Sequence, residues 1–194
     1  MPNLDNLIIV YQYSKRRGAT LMSRSYTAAL PIAHRALQVL IVLNWLLGAA
    51  ILVLLVAMPT TRWILTEFGL SPSPEAERLV VGLHAIAVIG LVAIPLHFVI
   101  LRRLLAIIET VRAGDPFLAA NAIRLRAIAW ALLALQVLSI VVGAVAKAIS
   151  TPEHPLHFDA GFSISGWLAV LLTFVLARVF AEGSLMREDL ERTV

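Results

Sequence analysis

Chemistry in this chain would have to come from few residues. His84 and His97 share one apolar stretch, and two intramembrane imidazoles invite a haem reading. Their spacing speaks against it. Thirteen residues along one helix separate them by about 20 Å, whereas a bis-histidine haem needs facing ligands at one depth on different helices. The plain role is a buried polar group bonded within the fold, with a proton-responsive role as the alternative. Glu153, His154, His157 and Asp159 form a second cluster of metal-ligating types. His154, His157 and Asp159 are the weak metal candidates, because Pro152 and Pro155 deny that loop a regular helix and leave the geometry unspecified. Arg178 is the one cation well inside an apolar run. It is expected to pair with Glu182 one turn on, to reach Glu109 across helices, or to snorkel to headgroups. Asn44 and Gln136 fall near the middle of apolar runs, where interhelical hydrogen bonds are their expected use.

What is missing matters as much. The chain has no cysteine, which excludes disulfides, thiolate metal sites, cysteine nucleophiles and iron–sulfur clusters. No nucleophile elbow, phosphate loop, paired catalytic carboxylates or zincin motif occurs. No cofactor is expected, and the protein reads as non-enzymatic.

The elements that would position these residues are membrane spans. Of 194 residues, 60% are hydrophobic and 14% charged, with a mean hydropathy of +0.87. Soluble domains run at about 45–50% apolar and about 25% charged. An ordinary soluble enzyme, a disordered protein and a nucleic-acid-binding domain are excluded. Four runs are long enough to cross about 30 Å of hydrocarbon: Ala36 to Met58, Leu79 to Leu101, Ala127 to Ile149, and Phe162 to Phe180. Each is best satisfied as a helix, since lipid offers the backbone no partners. Gly48, Gly82, Gly90 and Gly143 suit close helix contact.

The formal net charge of +4 is unevenly placed. Lys15, Arg16, Arg17, Arg24 and Arg35 precede the first run. Arg102, Arg103, Arg112, Arg124 and Arg126 lie between the second and third, and Arg187 and Arg192 follow the fourth. The opposite side has Arg62, Arg78 and Lys147. The positive-inside rule then places both termini and the middle loop in the cytoplasm. Trp63 and Trp167 are expected near the outer interface and Trp130 near the inner one. The basic residues are interleaved with apolar ones, so they are expected to meet anionic lipid and no nucleic acid directly. No cleavable signal peptide is read, because the first apolar run starts late and no small-residue site follows it. Residues 1–30 are expected to be a cytoplasmic, disordered segment, with Met22 as a second candidate start. Residues 31–194 form a single four-helix domain.

The breaks carry geometry. Pro31 suits the first turn of helix one, and Ser73-Pro74-Glu75 reads as N-cap, N1 and early acid for helix two. Helical spacing persists past the second span through Leu104, Ile107, Ile108 and Val111. Gly114 is then a natural end for helix two, Asp115 an N-cap and Pro116 the N1 residue of helix three. Helices two and three, each of roughly 33–35 residues and about 50 Å, would extend into the cytoplasm as a hairpin. The fold class is therefore all-α: a polytopic four-transmembrane-helix bundle with helices two and three extended.

Two segments carry a resemblance. One is Gly114-Asp115-Pro116-Phe117, followed by Asn121 and Arg124-Leu125-Arg126. The other is Val179-Phe180-Ala181-Glu182-Gly183-Ser184-Leu185, followed by Glu188-Asp189-Leu190 and a terminal Thr193-Val194. Both, in this order, resemble a bacterial family of four-span membrane proteins catalogued as domain of unknown function twenty-nine seventy-five, over roughly residues 35–194. Members usually carry an acid before that asparagine; here Ala120 stands there. The resemblance implies a regulatory or signal-sensing membrane protein partnered by a small helix-turn-helix transcription regulator, since such a gene commonly adjoins. Its docking face would comprise Gly114, Asp115, Pro116, Phe117, Asn121, Arg124, Glu182 and Gly183. Two other function classes stay open. One is a small-molecule transporter or binding protein using the bundle interior, where a homo-oligomer could supply a polar path. The other is a histidine-dependent redox or metal membrane protein.

Overall fold

The computed structural model describes residues 4–57, 74–150 and 161–193, with side chains described for 30–56, 77–150 and 161–189. Within them lie four helices: α1 (Leu4–Ala57), α2 (Pro74–Arg112), α3 (Ala119–Ile149) and α4 (Ile164–Thr193). No strand occurs among the described residues. Each helix contains a segment long and apolar enough to cross a membrane. The protein is an all-α chain of multi-pass membrane type.

The residues explain the boundaries. α2 starts at Pro74, whose fixed φ and missing N–H suit the first helical position. Ser163 caps α4, its hydroxyl oxygen accepting from the Gly166 N–H at 3.2 Å. Pro31 does not start a helix as expected; it lies inside α1. The first turns of α1 fall in the stretch that composition reads as irregular. Continuing an existing helix needs no new nucleus, so a weak helix former can be carried along.

Packing follows chain order: α1 lies on α2, α2 on α3, and α3 on α4. Among the described residues no contact between α1 and α4 closes the row. Lipid tails are as apolar as leucine, so closure brings no hydrophobic gain, and association rests on close packing and hydrogen bonds. Side-chain sizes agree. Small residues sit between helices, with Ala129, Ala131, Ala146 and Ala177 all buried, while Leu46, Leu47, Leu171 and Leu172 face outward. A water-soluble bundle would sort them the other way.

α2 approaches α3 closely at Gly82, where an added Cβ would come within 2.5 Å of Ile149 Cδ1 and Cγ2. Gly48 does the same for α1, 3.0 Å from Ile94 Cγ2. One turn earlier Asn44 donates from Nδ2 to the Ile94 carbonyl at 3.1 Å, the interhelical bond expected of it. Gln136 packs instead against Gly166 of α4. Another of the four expected glycine contacts, at Gly90, is an ordinary one, 3.9 Å from Ile51 Cδ1.

Candidate functional site

A group of polar residues converges at the α2–α3 turn. α2 ends in a Schellman motif. Gly114 adopts φ +85°, a conformation that costs any residue with a Cβ. Its N–H donates to the Val111 carbonyl at 3.1 Å, and the Asp115 N–H donates to the Thr110 carbonyl at 3.0 Å. Two orphan carbonyls of the helix end are thereby satisfied.

Asp115 and Pro116 do not start α3. Its N-cap is Leu118, extended at φ −67°, ψ 135°, with no side-chain capping bond. Asp115 is committed elsewhere: its carboxylate pairs with the Arg187 guanidinium of α4. A long-range ion pair has taken the capping oxygen.

Asn121, in the first turn of α3, has no exposed surface. Its Nδ2 donates to Thr110 Oγ1 at 2.7 Å and to the Pro116 carbonyl at 2.8 Å. Its Oδ1 accepts from Arg124 Nη1 at 2.8 Å. The Thr110 hydroxyl spends its own proton on the Ile107 carbonyl, 2.7 Å away, so toward Asn121 it can only accept. The amide orientation is therefore set by its partners. Arg124 Nη1 also reaches back to the Ala106 carbonyl of α2 at 3.0 Å. One buried amide thus joins the end of α2, the turn and the start of α3.

The second segment lies against the first. The rings of Phe117 and Phe180 are 5.5 Å apart between centroids. Phe117 covers Gly183, where an added Cβ would stand 3.4 Å from Phe117 Cδ1. Ser184 is buried beside it and donates to the Ala181 carbonyl at 2.8 Å. Beneath lies a core of Leu125, Ile128 and Ala177, flanked by Ile100, Leu104, Ile107 and Phe180.

The structure therefore brings together Gly114, Asp115, Pro116, Phe117 and Gly183, and places Asn121 and Arg124 inside the junction. Glu182 is not part of it; it pairs with Arg178 one turn back at 2.7 Å. Glu109, the other expected partner of Arg178, instead faces His34 of α1 at 3.5 Å. Two members were not foreseen. Thr110 has only the antiparallel register of the hairpin as a sequence signal, and Arg187 has none, since its partner is remote in the chain.

The other candidates stay apart. His84 and His97 each face the carbonyl four residues back, Val80 and Ala93, at 2.9 Å. Against a carbonyl, Nδ1 must be the donor. Among the described residues no group of three or more metal-ligating side chains forms. His154, His157 and Asp159 lie outside the described residues.

No curated protein and no solved structure matches the chain. Residues 64–194 match a family described as protein of unknown function, DUF2975. The matched stretch takes in α2, α3, α4 and both converging segments, and begins after the end of α1. On that match, which covers more than half of the sequence, the chain belongs to DUF2975.

Proposed function

We propose that this is a non-enzymatic protein of a bacterial inner membrane whose α2–α3 hairpin end docks a soluble cytoplasmic partner. The class of partner that the family resemblance implies is a helix-turn-helix transcription regulator. Basic residues support the sidedness: Arg102, Arg103, Arg112, Arg124 and Arg126 all cluster at this end. Length supports an extension beyond the bilayer. α2 has 39 residues, about 58 Å at 1.5 Å per residue, against about 30 Å of hydrocarbon. From Arg102 to Arg112 about 15 Å of helix stand past the apolar run.

One observation carries the proposal. Around the locked polar junction, large apolar side chains point outward: Phe117 is 47% exposed, Leu185 61% and Met186 63%. In lipid such exposure is ordinary. Outside it, apolar groups on a rigid turn are what a protein partner covers. Asn121 and Arg124 then serve by holding that surface in shape rather than by touching the partner.

The test is co-purification from native membranes with Phe117→Asp as comparison. The regulator should be recovered with the wild-type chain and lost with the variant. Equal recovery with both would exclude the hairpin tip as the docking face.

A further inference from the structure

A cleft of about 430 Å³ opens between α3 and α4 at the hairpin end. Ala122, Ala177 and Ala181 leave the space, Phe174 forms a wall, and Arg126 and Arg178 stand at the rim. We infer that this cleft binds one anionic phospholipid, its phosphodiester held by Arg126 and Arg178 and its acyl chains lying over Trp130 and Phe174.

Depth comes first. No charged residue stands between Arg126 and Lys147, about 30 Å of helix, which is the thickness of the hydrocarbon core. Arg126 and Lys147 therefore sit at opposite headgroup levels. Arg178 is the first charge of α4 after its own uncharged run. It lines the same cleft as Arg126, so both guanidinium groups lie at one headgroup level. Sidedness does not enter, so the inference stands apart from the proposed docking role.

Charge comes second. Arg126 is exposed and has no hydrogen bond or ion pair among the described residues. Arg178 is 78% exposed with Glu182 as its only described partner. Two cations and one carboxylate leave a single positive charge, the complement of one phosphodiester. Guanidinium groups bind phosphate through paired N–H donors, a geometry lysine lacks.

Shape comes third. One turn deeper into the membrane, Trp130 meets Phe174 edge-on with centroids 5.4 Å apart, and Trp130 is 55% exposed. The apolar pair continues the cleft in the direction that acyl chains must take. Basic pockets between transmembrane helices are a recurrent way of holding anionic headgroups.

The experiment is native mass spectrometry of the delipidated full chain in neutral detergent. It is titrated separately with phosphatidylglycerol, phosphatidylcholine and soluble glycerol phosphate. One phosphatidylglycerol should bind at concentrations where the other two do not. Arg126→Gln should weaken it about tenfold, and adding Arg178→Gln about tenfold again. Ala181→Leu keeps both charges, fills the cleft and should also weaken it, whereas Lys147→Gln at the opposite end should change nothing. Equal binding of the two lipids would overturn the inference, as would tight binding of glycerol phosphate alone. So would a loss in Lys147→Gln matching that in Arg126→Gln. If Ala181→Leu fails to show native helical circular dichroism, Arg126→Gln decides alone, because that side chain supports no described contact.

Discussion

Asn121 concentrates the polar chemistry of the molecule in one side chain. Both amide protons and the oxygen are used, and each partner belongs to a different part of the hairpin. Removing it takes the donor from the Pro116 carbonyl and one contact each from the Thr110 hydroxyl and Arg124. A buried polar group left unpaired costs about 1–3 kcal/mol. Asn121→Ala is expected to destabilise the chain by about 2–3 kcal/mol, read from denaturant unfolding in detergent. A loss below about 0.5 kcal/mol would mean that water or relaxation replaces the network. Asn44 is the internal contrast. It makes a single bond to the Ile94 carbonyl, and such bonds average only about 0.6 kcal/mol in membrane proteins. The same residue type thus has different weight at the hairpin end and in mid-span. The sequence shows both asparagines equally well; only the number of partners separates them.

Between elements, contact rests on small residues and on polar pairs such as Asp115 with Arg187. α2 meets α3 at Gly82, where even a methyl group would overlap Ile149. Gly82→Ala is expected to force Ile149 into another rotamer or push the helices apart, at about 1–3 kcal/mol. Thermal unfolding in detergent would measure this. An unchanged transition would show that Ile149 swings away freely. At the other end, Asp115 and Arg187 tie the turn to α4. Both are partly solvent-exposed, so their pairing contributes less than about 1 kcal/mol. It lies one turn from Gly183, which sits under Phe117. The expected capping role of Asp115 was reasonable on local grounds, since Asp before Pro suits an N-cap. What overrode it was a partner far along the chain, which no local pattern can announce.

At the scale of the whole molecule, the helices form an open row in which each packs on its chain neighbours. Most of the contact of α1 with the rest is therefore its contact with α2, through Gly48, Ile94 and Asn44. The absence of cysteine makes sidedness easy to test, since any introduced thiol is unique. Ala120→Cys lies on the exposed surface of the hairpin end. In right-side-out vesicles it should resist a membrane-impermeant maleimide and react once the membrane is opened. Labelling from outside would reverse the proposed orientation and remove the cytoplasmic docking face.

What the amino-acid sequence determined by itself was the solvent. Runs of uncharged residues as long as a bilayer is thick leave a helix in lipid as the only way to pair the backbone. The number of spans and the glycine stop at Gly114 followed from that and from local backbone sterics, whereas the start of α1 did not. The tertiary structure decided which polar groups meet. It buried Asn121, drew Asp115 away from its cap, gave Glu182 to Arg178 and opened the cleft beside Arg126. The physical reason is range. Burial in lipid and turn geometry act on neighbouring residues, whereas a hydrogen bond or ion pair between helices depends on rotation and register. In lipid those are set by close packing of small side chains rather than by the hydrophobic pattern.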